Sequence, residues 1–501
     1  MNKRSLWISA SAALLIAAGL AGCGKTSYFG GRVLPPSGLS NRVLIAIQNP
    51  SVFTKGALQI VDAYYDIRSG RTGQPASFSV SGYGGALPIS IQSMPEENEA
   101  AVYGSGDGTL TTVNYQSEKT TGTVGGLNGL SSSIFMTRNG TYVFAASQAS
   151  HVFTIVNQGN GASYPLSLPG VYRVSVNPGG SMALAFVENS NYAYYPRQLT
   201  TAQSLAYSGG PSTWPKAAVD CEPQSSPGWC MFQAQSPDQV DATGNYYGAP
   251  LVFDRPRKAV FSADGSTAYV LNCGPECGGT NASISLLPVA PMIFLIGQQS
   301  GLLPCNASPC TNTHALPITN IPIAGGASNA LVDSSTMYVV GQKLMPDGYF
   351  GGYLTVLNLA TNTLVPSTGT SPNPVSISDG IPGGPSRLLQ ADDNTLWIAM
   401  TKCTQGERYF NPTVYPGGYG CLTMYNTSTN TVTMLEPYIG DATGIADVEG
   451  LHKIYTVEGG QVYIYKTTDG TSIDNQYVTV TGTASDVAYM DGTTDANNTY
   501  Y

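Results

Sequence analysis

Short apolar runs alternate along the chain with turns that are rich in Gly, Asn, Asp and Pro. Residues 43–47 and 268–271 are examples, and each run has the length of a single β-strand. No long stretch shows the 3.6-residue periodicity of an amphipathic helix. The 58 Gly and 33 Pro residues supply frequent turns between the runs. The pattern therefore predicts an all-β protein.

A repeated unit is clearest at residues 257–272, where a short strand, an Asp-Gly turn and a second strand ending in Asn follow one another. Third and fourth apolar strands follow most copies, and the tightest spacing between copies is about 40 residues. Four strands at that period are typical of one blade of a β-propeller. Weaker copies begin near Leu87, Leu130, Val171, Ala330, Arg387 and Gly444.

The copy at 257–272, with its Asp-Gly turn and Tyr-Val-Leu-Asn ending, resembles the bacterial YVTN-type β-propeller repeat. The resemblance implies a closed β-propeller of four-stranded blades over residues 41–501. Residues 41–48 resemble the second strand of a blade, and residues 484–490 resemble a first strand that lacks its blade. Pairing these two segments would remove exposed strand edges. It would also give eight blades, or seven if the irregular copy at 171–256 is not a full blade.

The amino-terminal 22 residues have the layout of a secretory signal. Lys3 and Arg4 precede an uncharged apolar run at 6–20, which is too short for a comfortable membrane span. The run ends in Leu-Ala-Gly-Cys23, which resembles the lipobox of bacterial lipoproteins. The alternative is an ordinary secretory signal with a chance cysteine.

The lipobox resemblance implies that residues 1–22 are removed and that Cys23 becomes the acylated amino terminus. Residues 23–40, rich in Gly and Pro, would then form a flexible tether between the lipid and the propeller. Two or more acyl chains anchor a protein stably, so we expect the membrane to be one partner. Gly24 is not the Asp that retains enteric lipoproteins at the inner membrane, which favours the outer membrane of the cell envelope.

Eight cysteines remain besides Cys23, an even number that suits disulfides in an oxidising compartment. A zinc site is the alternative for the pair at 273 and 277, although the chain has only three His residues to complete it. Short separations favour four local disulfides, namely Cys221–Cys230, Cys273–Cys277, Cys305–Cys310 and Cys403–Cys421.

The charge balance argues against nucleic acid as a partner. The chain has 22 basic and 31 acidic residues, a net charge of -9, and it contains no basic run.

The connection from the second to the third strand of a blade is lengthened at 273–281, 341–352 and 402–420. These loops would project from one face of the propeller, and a Cys403–Cys421 bridge would hold the last one at its base. A further long insert, 190–255, is expected on the rim. Aromatic side chains suit recognition, although they equally suit packing within the loops. The candidate binding face comprises Tyr349, Phe350, Tyr409, Phe410, Tyr415 and Tyr419.

The sequence contains no catalytic motif of the hydrolase or metalloprotease kind, and we expect no metal or cofactor. Residues 491–497 have calcium-like oxygen spacing but fit a plain polar terminus better. The inner strands read as Val, Ile, Leu and Ala, which counts against chemistry in the central channel. We therefore expect a non-enzymatic envelope protein whose loop face binds a protein or polysaccharide. The alternative is a propeller enzyme of the lactonase or quinoprotein type that acts at the channel.

Overall fold

Every repeat identified in the sequence forms the two innermost strands of one blade. The structure is a computed structural model in which strands β1–β36 follow chain order. It describes residues 35–49, 56–67, 78–127, 131, 133–223, 228–236, 239–240, 246–289, 318–346, 348–368, 372–377, 384–403, 421–435, 440–473, 478–480, 482–494 and 498–499.

Each blade is an antiparallel sheet that begins with its innermost strand at the channel and ends with its outermost. In that order, blade 1 contains β36 (Thr483–Tyr489), β1 (Arg42–Gln48), β2 (Gly56–Asp62) and β3 (Phe78–Ser79). Blade 2 contains β4 (Pro88–Met94), β5 (Glu99–Gly104), β6 (Thr109–Asn114) and β7 (Lys119–Val124). Blade 3 contains β8 (Ser133–Met136), β9 (Tyr142–Ser147), β10 (Val152–Asn157) and β11 (Ser163–Ser167). Blade 4 contains β12 (Val171–Val176), β13 (Ala183–Val187), β14 (Ala193–Gln198), β16 (Trp229–Gln233) and β15 (Ala218–Glu222).

The second half of the ring has the same plan. Blade 5 contains β19 (Pro256–Phe261), β20 (Thr267–Asn272), β21 (Ser283–Pro288) and β22 (Thr319–Pro322). Blade 6 contains β23 (Asn329–Asp333), β24 (Thr336–Leu344), β25 (Phe350–Asn358) and β26 (Thr363–Leu364), and β27 (Val375–Ser376) also pairs with β25. Blade 7 contains β28 (Gly384–Ala391), β29 (Thr395–Thr401), β30 (Leu422–Asn426) and β31 (Thr431–Met434). Blade 8 contains β32 (Ala442–Val448), β33 (Lys453–Glu458), β34 (Gln461–Lys466) and β35 (Ser472–Ile473).

Three kinds of smaller element complete the description. A two-stranded hairpin pairs β17 (Gln239–Val240) with β18 (Tyr246–Tyr247). One α-helix, α1, spans Thr201–Tyr207, and the Thr200 hydroxyl accepts a hydrogen bond from Gln203 N at 3.2 Å to cap it. Short 3₁₀ turns lie at Pro95–Glu97, Pro211–Thr213, Gly274–Cys277 and Asp392–Asn394. Among the described residues, no helix is long and apolar enough to cross a membrane.

The predicted closed propeller with eight blades is confirmed. The irregular copy at 171–256 is a full blade, which removes the seven-blade alternative. The insert at 190–255 was expected to lie on the rim as an addition. Instead it supplies strands β14, β15 and β16 of blade 4, and its buried Tyr195, Tyr207 and Phe232 belong to the core shared with blade 5.

The ring closes through the two ends of the domain, as the split repeat predicted. β1 pairs with β36 in antiparallel register, from Val43 opposite Tyr489 to Gln48 opposite Thr483. Arg42 adds a buried ion pair to Asp491, with 2.6 Å between Nη2 and Oδ1. Asp491 is therefore part of the closure, in contrast to the plain polar terminus expected for the segment that it begins.

Apolar cores lie between neighbouring blades because strands near the channel, such as β1, bury both of their faces. In β1, Val43 and Ile45 pack with blade 8, whereas Leu44 and Ala46 pack with blade 2. This alternation is the two-residue period of a strand, and burial of both faces explains why the runs are apolar throughout.

The stretch expected to be a flexible tether, 23–40, is packed at its end, where the Ser37 hydroxyl donates to Glu118 Oε1 at 2.6 Å.

Candidate functional site

Six inner strands contain a β-bulge near their start, at the end of the channel where the chain enters each blade. A bulge inserts one residue and reorients the side chains beside it. The residue after each insertion occupies the same position in its blade. Those residues are Ser90, Arg173, Lys258, Arg387, Gly444 and Asp486, and β8 and β23 begin with Ser133 and Asn329.

Several of these polar side chains form hydrogen bonds with the backbone of the next blade. Asp486 Oδ2 accepts from Ile91 N at 2.7 Å, and Ser133 Oγ accepts from Val174 N at 3.3 Å. Asn329 Nδ2 donates to Ser386 O at 3.0 Å. The inner strand is the edge strand of its sheet, so its backbone groups need partners from outside the sheet. These side chains therefore join the blades around the channel.

A buried ion pair crosses blade 8. Arg387 Nη2 lies 2.5 Å from Asp486 Oδ2, and the two side chains are 1% and 0% exposed. Gly444 lies between them, and a Cβ at that position would come within 2.5 Å of Asp486 Oδ1. Blade 8 therefore needs glycine here so that blades 7 and 1 can be linked by this pair.

A basic side chain lies on the opposite side of the channel. Lys258 Nζ donates to Asn329 Oδ1 at 2.9 Å, and the residue is 7% exposed. Burial, and after it the positive charges of Arg173 and Arg387, lower the pKa of Lys258 well below its usual value. Three basic side chains thus lie around the channel of a chain whose net charge is -9.

The channel contains a cavity of about 640 Å³ at the end where the inner strands begin. Gln48, at the end of a second strand, and Gly459–Gly460, between the second and third strands of blade 8, form part of its rim. The cavity therefore lies on the face that carries the lengthened connections. Most of its wall is apolar by area, and hydroxyl, amide and charged side chains are set into it, namely Ser90, Gln92, Tyr103, Ser131, Ser133, Arg387, Asp441, Thr443, Thr483 and Ser485.

Ser131 is a distinctive member of this lining. Its Oγ is buried and interacts with the Tyr103 hydroxyl, to which the Ser131 backbone N–H also donates, at 2.8 Å. Ser131 and Tyr103 therefore hold each other in the cavity wall.

The inner strands match the sequence expectation in part. They were expected to read Val, Ile, Leu and Ala, with no recurring acidic or metal-ligating residues. A polar or charged residue precedes the apolar pair in most of them, as in Arg387-Leu-Leu and Asp486-Val-Ala, but Asp486 is the one acidic residue of this described set. Aligning the repeats by this residue would have found the ring of channel residues. Polar groups therefore line the channel, although acidic residues do not recur at this position.

The predicted loop face is described in part. Residues 341–352 form an extension of the β24–β25 hairpin, with Leu344 opposite Phe350, so the connection is a strand pair with a short turn. Tyr349 and Phe350 are half-buried at its tip. Tyr409, Phe410, Tyr415 and Tyr419 lie outside the described residues, as does most of 402–420.

The connection at 273–281 packs tightly against the propeller. Glu276 Oε2 accepts from Gln342 N of blade 6 at 3.0 Å, and Asp254 accepts from the backbone of Thr280 and Asn281. It is a structural link between blades 5 and 6, in contrast to the exposed recognition loop that was expected.

Three of the four predicted disulfides are present, at Cys221–Cys230, Cys273–Cys277 and Cys403–Cys421. The first joins paired positions of β15 and β16, and the last closes the base of the 402–420 loop. Asp441 lies beside Cys403 and Cys421, but disulfide sulfurs are not the thiolates that bind metals. Cys305, Cys310 and Cys23 lie outside the described residues.

The fold and the channel define the chain as an eight-bladed β-propeller with a cavity at one end of its channel. No protein-family model matches the chain, and no curated protein matches it. The structure of dihydro-heme d1 dehydrogenase NirN in complex with DHE gives a TM-score of 0.48 at 10% identity, over 92% of this chain and 78% of that one. Apo AztD from Citrobacter koseri gives 0.45 at 11% identity, over 90% and 97%.

A third solved structure is a putative 6-phosphogluconolactonase from Bacteroides fragilis NCTC 9343. It gives a TM-score of 0.41 at 9% identity, over 90% of this chain and 97% of that one. At these identities the likeness is one of fold, and it says nothing about a shared ligand or reaction.

Proposed function

We propose that the protein is a cell-envelope lipoprotein that binds a hydroxyl-rich ligand, such as the end of a sugar chain, in its channel cavity. The observation that carries the proposal is the cavity of about 640 Å³, whose mainly apolar wall contains hydroxyl and amide side chains. That volume is typical of small-molecule sites. Convergent donors and acceptors suit a sugar, whose hydroxyl groups both donate and accept hydrogen bonds.

The contacts of the cavity support this ligand class. Ser131 Oγ offers a buried polar group. Ile89 lines the same cavity and is 37% exposed, so its side chain can pack against the apolar face of a sugar. The lengthened connections on the same face can add contacts to a longer saccharide, which keeps the aromatic residues at 349, 350 and 402–420 as proposed secondary contacts.

An enzyme that acts in the same cavity is the second candidate. The observation that favours it is the buried Arg387–Asp486 pair at the cavity wall, since charged groups in a water-poor site are the usual means of transition-state stabilisation. The two functions differ in a simple readout. A binding protein returns the saccharide unchanged, whereas an enzyme releases product that chromatography detects.

The experiment uses Ile89, which lines the cavity and is 37% exposed. Ile89→Trp should fill the rim and weaken binding of the tightest ligand in a panel of mono- to tetrasaccharides by more than about tenfold, measured by calorimetry. Because the position is exposed, the melting temperature should change little. Ile89→Ala is the matched control and should keep the affinity within about threefold. Unchanged binding by the Trp variant, or no binding by the wild type, would contradict the proposal.

A further inference from the structure

A second cavity, of about 240 Å³, lies at the opposite end of the channel. It is formed where β8, β12, β19 and β23 end, and Ser175, Asn498 and Thr499 contribute polar atoms. Most of its wall is apolar, with Phe135, Phe261 and Val332 among the larger side chains. This cavity differs from the one at the other end in the charged residues that line it, which are Lys258 and Arg138 here and Arg387 and Asp441 there.

Both charged side chains in its lining are cations, Lys258 and Arg138. Lys258 is 7% exposed. Arg138 lies nearer the surface, with its side chain 36% exposed and paired with Glu96 at 3.4 Å. One buried and one rim cation beside apolar walls form an amphipathic cavity.

A chain of hydrogen bonds fixes Lys258 against this wall. Its Nζ donates to Asn329 Oδ1 at 2.9 Å, and Asn329 Nδ2 lies 3.4 Å from Thr499 Oγ1. Thr499 Oγ1 accepts from Leu388 N at 2.9 Å, and Asn498 forms a bridge to Leu389. The carboxyl-terminal segment thus lies on the inner edge of β28 and completes the cavity around the lysine.

The electrostatics favour an anion here. Besides burial, the positive charges of Arg173, Arg387 and Arg257 lower the pKa of Lys258. An anion beside the ammonium group would offset both the desolvation and the repulsion, and so would favour the charged lysine.

We infer that this cavity binds a small amphipathic anion, with a carboxylate or phosphate head at Lys258 and an apolar body against Phe135 and Phe261. The two aromatic side chains and Val332 supply the apolar contact. Arg138 attracts the head group from the rim, where solvent screens it more strongly.

Isothermal titration of the full-length protein with benzoate, phenyl phosphate and benzyl alcohol tests the inference. The two anions differ in head group, and the alcohol has the same apolar body without the charge. The better of the two anions should bind at least about tenfold more tightly than the alcohol. Comparison of the two anions distinguishes a carboxylate from a phosphate ligand. Equal affinity for the alcohol, or no binding of any probe near 1 mM, would overturn the inference.

Substitutions in its lining test whether the three probes bind in this cavity. Lys258→Met should reduce the preference for the anion over the alcohol to within about twofold. Ala263 is exposed at the cavity, so Ala263→Trp should block all three probes without unfolding the protein, and Ala263→Ser is its control. Titration in two buffers of different ionisation enthalpy should also show proton uptake on anion binding by the wild type, but not by Lys258→Met. Anion preference that survives Lys258→Met, or unaltered binding by Ala263→Trp, would refute the inference.

Discussion

At the scale of single residues, the bulge position of each inner strand decides what the channel contains. A side chain at this position can bond the next blade, as Asn329 does, or contribute a charge, as Lys258 and Arg387 do. Gly444 does neither, because the Asp486 carboxylate occupies the space that a side chain at this position would need. One structural position therefore serves both ring closure and the chemistry of the channel.

Asp447, in the inner strand of blade 8, gives a residue-scale prediction. Burial, and after it the charges of Asp392 and Glu449, raise the pKa of Asp447 from 3.8 to about 8. The folded protein then holds one more proton than the unfolded chain between these values, so the free energy of unfolding falls as the pH rises. Asp447→Asn cannot ionise, and the loss of stability from pH 4 to pH 8 should be smaller by roughly 2–4 kcal/mol.

Urea unfolding across this pH range measures the effect. Asp264→Asn is the matched control, because that carboxyl is fully exposed in a turn and its pKa is lowered to about 2. It should leave the profile between pH 4 and pH 8 as in the wild type. A profile for Asp447→Asn that parallels the wild type would show that Asp447 is already ionised at neutral pH.

At the scale of elements, closure of the ring depends on β36, which blade 1 takes from the end of the chain. A chain ending at residue 482 should expose the edges of β1 and of the inter-blade core. We expect aggregated protein without a cooperative melting transition. A chain ending at residue 494 keeps β36 and Asp491, so it should remain monomeric with a small decrease in melting temperature. Size-exclusion chromatography and calorimetry distinguish these outcomes, and a monomeric 482-residue chain would contradict the closure.

The strands, the ring closure and the channel differ in how well the sequence alone predicts them. The strands near the channel were predictable because both of their faces are buried, which leaves a continuous apolar run such as 43–47. The closure was predictable because the two half-repeats are complementary. The polar lining of the channel was not predictable. It comes from one polar residue per strand, such as Arg387, and next to an apolar run such a residue looks like the boundary of the strand. The 341–352 segment was read as a loop because its glycines mask the strand pairing of Gly351 and Gly352.

At the scale of the whole molecule, the proposed lipid anchor at Cys23 would hold the propeller, and with it the channel cavity, at the membrane. Cys23→Ser removes the acylated residue, so the protein should leave the membrane fraction or accumulate as an unprocessed precursor. Mass spectrometry of the wild-type membrane fraction should show acylated Cys23 at the amino terminus. An uncut chain that begins at Met1 would refute the anchor but would leave the propeller and its cavities unaffected.

The two ends of the channel hold two separate cavities. Arg387 and Asp441 are the charged residues that line the cavity at the loop face, whereas Lys258 and Arg138 line the opposite one. The Arg387–Asp486 pair and the Lys258–Asn329 bond lie on the channel wall between them. This separation allows the ligand of each cavity to be tested without disturbing the other.

The most direct test of the proposed function is a crystal structure of the protein with the tightest-binding saccharide from the panel. We predict density for a sugar within the channel cavity, in contact with Ser131 and Arg387. Density only on the outer surface of the lengthened loops, or none at a concentration that saturates binding in solution, would contradict a ligand site in the channel.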